Sequence, residues 1–459
     1  MIYDIIIIGA GTAGISAYKE AIKYTQNILI INAGPWDTTC ARVGCMPSKV
    51  LIASANRAYD IQHADNVGLN VTAQIDTSQV MQHVRQLRQR FTQATLKDVN
   101  SWNPAHRISG EVKFIDSNII EVNQKRYQAK SFILAVGSRP AADTKWQQEL
   151  GELYLTSDQV FELEQLPQRL AVIGSGIIAV ELAQAMQRLG VETTIFARSQ
   201  RIGPLSSPNL QPLAQDIFKL QLNIKYKTLP DQVLKIGNKV KITYQEQGTQ
   251  QEMMTDYLLS ATGRSSNLDR LGLHNIDPTF SDIKKLPIDA QTKQLGHYPI
   301  FIVGDAFSKS PVQHEAALEG KRAVHNCLNN SQIQPIISKT SLAIMFSSPQ
   351  MASIGLNHKT IHEQNIDVVI GSVSYVKQGR AIVNGKNMGA VEVYVERSTR
   401  CLLGAELIVY EAEHLAHLLA WMVQQELTID EILNSPFYHP TLEEGLRTAL
   451  KHARRQLDA

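Results

Sequence analysis

DIIIIGAGTAG, residues 4–14, carries four successive isoleucines after Asp4 and then three spaced glycines. An unbroken apolar run is what a strand covered on both faces needs, since a strand with one wet face would alternate. Gly9, Gly11 and Gly14 then follow the G-x-G-x-x-G spacing, and a helical segment comes next. The first glycine permits the turn, the second lets backbone approach a pyrophosphate, and the third lets helix lie against strand. Such spacing alone is common. Between a buried strand and a helix it is specific.

The pattern recurs at LAVIGSGIIAVELA, residues 170–183, where Gly174, Gly176 and Ala179 take the same places and the alanine does the packing of the third glycine. In each copy a second apolar strand follows, at Asn27 to Ile31 and at Glu192 to Phe196. Each also has a later strand that leaves through glycine, in FILAVGSRP (132–140) and LLSATGRSSN (258–267). Strand, turn, helix and strand, twice over, make two dinucleotide folds, and the economical pairing is one flavin with one nicotinamide. The plain alternative is a duplicated structural turn with no ligand.

A chain of 459 residues has room for two to four domains. Its 45 Lys and Arg against 43 Asp and Glu leave a formal charge of +2, which points to neither nucleic acid nor an anionic membrane as partner. Asp4 and the glycines interrupt the apolar start and no cationic leader precedes it, so neither a signal peptide nor a membrane span is expected. Four cysteines are too few for a disulfide-stapled secreted scaffold, and a reducing cytoplasm is the expected compartment. Cys327 and Cys401 read as core thiols.

QVMQHVRQLRQRF reads as a helix with Val80, Val84, Leu87 and Phe91 on one face and Arg85, Arg88 and Arg90 in solvent. From about residue 340 the character changes. MASIGL, DVVIGSVSY, GAVEVYVE and CLLGAELIV are antiparallel-strand patterns, and AEHLAHLLAWMVQQE is a helix, which together make a separate α+β domain.

Cys40 and Cys45 lie in TTCARVGCMPSK, residues 38–49. Without C-x-x-C spacing or a nearby histidine they make a poor zinc cage, and no metal is expected. Arg42, Lys49 and a helix N-terminus would favour thiolate over thiol, so a redox pair outweighs a static disulfide or two inert thiols.

These stretches, with IFIVGDA (300–306) and YHPTLEEGL (438–446), resemble those of the pyridine nucleotide-disulphide oxidoreductases, the family of dihydrolipoyl dehydrogenase and glutathione reductase, over essentially the whole chain. The resemblance implies an α/β fold of two Rossmann-like dinucleotide-binding domains plus a C-terminal α+β dimerisation domain. Its boundaries would be 1–142 and 265–338 for FAD, 143–264 for NAD(P) and 339–459 for dimerisation. It further implies a homodimer with an active site shared across subunits.

Cofactor contacts would fall on Gly9, Gly11, Gly14, Asn32, Thr39, Gly110, Gly137, Ser138, Asp305 and Ala306, and on Gly174, Gly176, Ala179, Glu181, Arg198, Arg201, Gly263 and Arg264. By the family pattern Cys45 lies nearest the flavin and Cys40 exchanges with a dithiol or disulfide substrate. Lys49 lies beside the flavin and pairs with Glu181, and His439 with Glu444 is the acid-base pair. An imidazole, with an ordinary pKa of about 6.5, can take and return a proton. Thr441 and Glu444 also have the spacing of a helix capping box.

Some positions depart from the family pattern. The acidic residue expected at the end of the second strand is Asn32 in the first copy and Ala197 in the second. With Arg198 and Arg201 following, Ala197 suits the extra phosphate of NADP(H) over NAD(H). Asp37 and Thr38 stand where two glycines are usual, Val136 where threonine is usual, and Ile177 where glutathione reductase has a tyrosine gate, which leaves the pocket more open. MPSK and HPTLEE lie nearer dihydrolipoyl dehydrogenase, whereas Ala179 and Arg198 lie nearer glutathione reductase. Mercuric reductase is disfavoured because KHARRQLDA lacks a further cysteine pair. A flavin-bearing scaffold without turnover is the alternative of a different class.

Overall fold

The structure, a computed structural model, describes residues 1–307 and 312–459. The chain divides into two compact units. The first comprises Met1–Pro47, Gln86–Pro140 and Arg264–Lys339. At its centre strand Ile2–Ile8 pairs in parallel with Ile28–Asn32 on one side and Lys125–Leu134 on the other. Arg107–Ser109 extends the sheet in parallel beyond Ile28–Asn32, and Ile300–Ile302 pairs with the end of Lys125–Leu134. The hairpin of Val112–Phe114 and Ile119–Val122 is antiparallel.

The apolar run is explained by what covers it. Ile6, Ile8, Leu29 and Ile31 face a cluster with Phe114, Phe132 and Leu295, while Ile5, Ile7, Ile28 and Ile30 face Tyr18, Trp102 and Phe301. Both faces of the strand are therefore interior, and each isoleucine buried this way stabilises the fold by about 1.5–3 kcal/mol. Helix Thr12–Ala21 lies against helix Gln313–Leu328 so closely that a Cβ on Gly320 would stand 2.2 Å from the Ala13 carbonyl oxygen.

The second unit comprises Ser48–Arg85, Ala141–Gly263 and Thr340–Ala459. It holds a parallel sheet in the order 223–226, 192–197, 169–173, 257–260, 154–156, with helix Ile177–Arg188. A three-stranded antiparallel meander, 230–255, follows in the same segment. The C-terminal segment forms a five-stranded antiparallel sheet in the order 342–345, 350–355, 402–409, 390–396, 368–374. Helices Ala412–Gln424 and Glu443–Leu457 cover one face and bury Val391, Val393, Ala405 and Leu407. The opposite face is not wet. Glu392 and Glu406 are cross-strand neighbours, almost fully buried, and accept from Asn209 Nδ2 at 2.8 Å and from the Ser206 N–H at 2.5 Å.

Two expectations are corrected here. Arg85 is only partly in solvent: it is half-buried and its Nη1 donates to the Leu163 carbonyl at 2.5 Å. Cys327 is a core thiol, pushed up in pKa by burial. Cys401 is not: it is half-buried just before strand Leu402–Val409, with Sγ donating to the Glu426 carbonyl at 3.2 Å.

Candidate active site

In the first unit, Gly9 has φ +104°, and a Cβ there would lie 2.3 Å from the Ala135 carbonyl oxygen. A Cβ on Gly14 would lie 1.9 Å from the Gly9 carbonyl oxygen, so both positions exclude a side chain for steric reasons. Gly11 differs, since nothing stands within 4 Å of its missing Cβ. It is the N-cap of helix Thr12–Ala21 and no side chain caps that end. Open space before uncapped N–H groups is what a pyrophosphate requires, and the turn fits a dinucleotide. Gly14→Ala is expected to cost about 3 kcal/mol, the upper end for overpacking, because the obstructing atom is backbone. The flavin-to-protein absorbance ratio of the purified variant should fall with it.

Asn32 is anchored within the protein. Its Oδ1 accepts from the Ala10 N–H at 3.1 Å and its Nδ2 donates to the carbonyls of Gly34 and Pro35 at 2.8 and 2.9 Å. The amide thus ties the glycine turn to the end of its neighbouring strand, a task an acidic residue could only half perform because it has no donor. Gly110 closes the same corner, its N–H donating to the Asn32 carbonyl at 3.0 Å.

Asp305 sits half-buried in the short turn Gly304–Ala306. Glu319 holds that turn by accepting the Gly304 N–H at 2.7 Å, and is itself paired with Lys293 at 3.0 Å. Ser266 Oγ donates to the Ala306 carbonyl at 2.7 Å. Burial raises the Asp305 pKa, the charge of Arg264 opposes the rise, and that of Glu319 adds to it. Arg264 also grips Ser138, with Nε to Oγ at 2.8 Å and Nη2 to the carbonyl at 2.6 Å, beside Gly137 at φ +63°. The first unit therefore brings Ser138, Arg264, Asp305 and Ala306 into one corner.

Thr38 caps the short helix Thr39–Val43, its Oγ1 accepting from the Ala41 N–H at 3.3 Å. Gly44 breaks the helix, and the backbone of Cys40 packs against it, with Cα 3.1 Å from where a Cβ would be. Cys45 is then the first residue of helix Cys45–Gln62. Cys40 is half-buried and Cys45 exposed. The positive end of an 18-residue helix stabilises negative charge on Cys45. Arg42 Nε pairs with Asp37 at 3.2 Å, and in the second unit Lys49 pairs with Glu181.

In the second unit, Gly174 has φ +118° and a Cβ there would meet the Ala261 carbonyl oxygen at 2.5 Å, while nothing stands within 4 Å of a Cβ on Gly176. Ala179 is fully buried in helix Ile177–Arg188, and the Gly263 carbonyl accepts from the Ala141 N–H at 2.9 Å. This second turn also fits a dinucleotide. Arg201 is bound to it through Ser175, whose Oγ donates to the Arg201 carbonyl at 2.7 Å, and Arg198 is exposed.

Glu181 accepts from Lys49 Nζ at 2.7 Å and from the Phe346 N–H at 2.7 Å, and Lys49 Nζ lies 4.5 Å from the centre of the Phe346 ring. Lys49→Met strands a carboxylate only 4% exposed, and should cost about 2 kcal/mol. That is less than the roughly 3–5 kcal/mol of a fully buried pair, because the lysine side chain is 34% exposed. Thermal melting measures the loss, and Lys49→Met combined with Glu181→Gln should recover part of it.

His439 Nδ1 lies 3.1 Å from both carboxylate oxygens of Glu444, and the imidazole is exposed. Glu444 also accepts from the Thr441 N–H at 3.2 Å, but Thr441 Oγ1 donates to the Tyr438 carbonyl instead of capping. Helix Glu443–Leu457 begins after Leu442, so the expected capping box is not formed. A complete one lies at Thr428 and Glu431. A cavity of about 770 Å³ in this unit is lined by Pro440, Thr441, Arg57 and Tyr410, and by neither His439 nor Lys49. Among the described residues no helix is long and apolar enough to cross a membrane.

A family model described as pyridine nucleotide-disulphide oxidoreductase matches residues 3–320, and that family's dimerisation domain matches residues 342–450. Dihydrolipoyl dehydrogenase of Mycoplasma pneumoniae is 29% identical over 458 residues, which are 99% of each chain. A mercuric reductase of Staphylococcus aureus is 29% identical over 450 residues, 97% of this chain and 82% of that one. The crystal structure of LpdA from Mycobacterium tuberculosis superposes with a TM-score of 0.84 at 22% identity, covering 98% of this chain and 99% of that one, a likeness of fold.

Proposed function

The chain belongs to the pyridine nucleotide-disulphide oxidoreductase family as an FAD-dependent enzyme, its dimerisation domain supporting a homodimer; from that premise we propose that it acts on a dihydrolipoyl-type dithiol or disulfide through Cys40 and Cys45, with NADP(H) as its nicotinamide partner in a reducing cytoplasm. The observation that carries the reading is the break at Gly44, which puts Cys45 at the head of a long helix with Cys40 in the short turn before it. Dihydrolipoyl dehydrogenase relatives, together with MPSK and HPTLEE, support the substrate class.

The flavin, when bound, supplies a two-electron relay between nicotinamide and the sulfur pair. In the reducing direction the Cys40 thiolate attacks one sulfur of the substrate disulfide, forming a mixed disulfide and expelling one thiolate, which takes a proton from the His439 imidazolium. The Cys45 thiolate then attacks Cys40 Sγ, closing the Cys40–Cys45 bond and releasing the second substrate thiolate. The dithiol direction is the reverse. Glu444 holds the imidazole, His439 being contributed across the dimer by the second subunit. Lys49 and Glu181 tune charge beside the flavin and do not react.

A second reading, an NADPH-dependent glutathione-disulfide reductase, is favoured by Ala197 and the exposed Arg198 at the strand end. Initial rates with lipoamide, dihydrolipoamide and glutathione disulfide, each with the NAD and NADP couples, separate the two. Faster turnover of glutathione disulfide than of either lipoamide form sinks the dihydrolipoyl reading, and preference for NADH sinks the NADP(H) reading. A protein that bleaches on dithionite titration without a thiolate-to-flavin charge-transfer band has no working sulfur pair.

A further inference from the structure

At the carboxyl edge of the parallel sheet in the second unit, an exposed cation follows each of two adjoining strands. Strand Glu192–Ala197 pairs with Asn223–Tyr226, Ala197 opposite Tyr226, so Arg198 and Lys227 are the next residues out on adjoining chains. The Thr228 N–H donates to the Ala197 carbonyl at 3.0 Å, which holds the two chains together past the last pair. Lys227 stands at φ +52°, where the chain turns out of the ladder. Among the described residues neither Arg198 nor Lys227 has a side-chain hydrogen bond or ion pair, whereas Lys225, two residues earlier, is paired with Glu246 at 2.6 Å. Arg201 is partly spent, its Nη2 donating to the Leu205 carbonyl at 3.3 Å.

We propose that Lys227 is the second cation, beside Arg198, that receives the 2′-phosphate of the dinucleotide. The inference rests on the NADP(H) reading above and names a specificity residue on the neighbouring strand. Ligands of open parallel sheets bind outside the carboxyl ends of the strands, and the ribose of the dinucleotide is taken at the end of the second strand. A phosphomonoester dianion there would offer charge-assisted hydrogen bonds to both cations, whereas the bare hydroxyl of NAD carries no charge for them.

Calorimetric titration of the flavin-loaded dimer with 2′,5′-ADP and with 5′-AMP tests this without turnover. The wild type should bind 2′,5′-ADP more tightly than 5′-AMP. Lys227→Met should weaken 2′,5′-ADP about tenfold, the effect of losing one hydrogen bond to a charged group, and leave 5′-AMP unchanged. Lys227→Arg should restore most of the loss. If Lys227→Met binds 2′,5′-ADP as the wild type does while Arg198→Met is weakened, Lys227 is not a ligand and the NADP(H) reading stands without it. Equal binding of both probes by the wild type overturns the NADP(H) reading itself.

Discussion

Cys40→Ser is expected to lower turnover of the disulfide substrate by more than about 10⁴-fold, because the hydroxyl that replaces the thiol is not ionised near neutral pH and cannot form the mixed disulfide. Reduction of the flavin by nicotinamide should survive, since Cys40 takes no part in hydride transfer, so the variant separates the two halves of the reaction. Cys45→Ser should lose turnover equally but differ in its spectrum. The thiolate nearest the flavin would be gone, and with it the long-wavelength band on two-electron reduction, which Cys40→Ser should keep. Neither substitution should unfold the protein. Cys45 is exposed at a helix start, Cys40 is half-buried, and oxygen for sulfur is a small change in volume. Turnover retained within about tenfold in either variant would remove the sulfur pair from the mechanism.

Both glycine turns were readable because steric exclusion is local. Gly9, Gly14 and Gly174 each lie against a carbonyl that no Cβ could pass, and the strand and helix around each leave their own periodicity. The antiparallel strands at 350–355, 368–374, 390–396 and 402–409 were readable for the same reason. Edge strand Leu342–Met345 and the meander at 230–255 were not read, since four apolar residues or alternating charged ones fit several conformations. Alternation would also have put Glu392 and Glu406 in water. Their burial depends on a loop two hundred residues away in sequence, the Ser206 N–H that bonds Glu406. Lys49 and Glu181 are 132 residues apart, and nothing local couples them, so that pairing came from family resemblance and not from the residues themselves. The pairing of Arg42 with Asp37 shows the opposite case: its members are five residues apart, yet which of the neighbouring anions an arginine Nε meets is a matter of geometry that composition does not record.

For His439 the expected loss is smaller than for the cysteines but carries a pH signature. His439→Gln should lower the rate about 10²–10⁴-fold, the usual worth of a positioned acid-base group, while the charge-transfer band persists. Glu444 sets the sign of the companion result. Its carboxyl is held below the usual carboxylate range, first by His439 and then by the Thr441 N–H, so it stays anionic throughout the neutral range and loses its hold on the imidazole only as acid protonates it. Glu444→Gln removes the charge that holds the imidazole, so the loss of kcat/KM that follows protonation of the carboxylate in acid should disappear, with a fall in rate at neutral pH well short of that for His439→Gln. A structural role for Glu444 alone, holding the Thr441 turn, would leave both rate and profile nearly unchanged in Glu444→Gln, since glutamine keeps an oxygen for the Thr441 N–H. A profile that keeps its acid limb in Glu444→Gln would therefore leave the carboxylate a scaffold, and a rate within about tenfold of wild type in His439→Gln would leave the proton to another group.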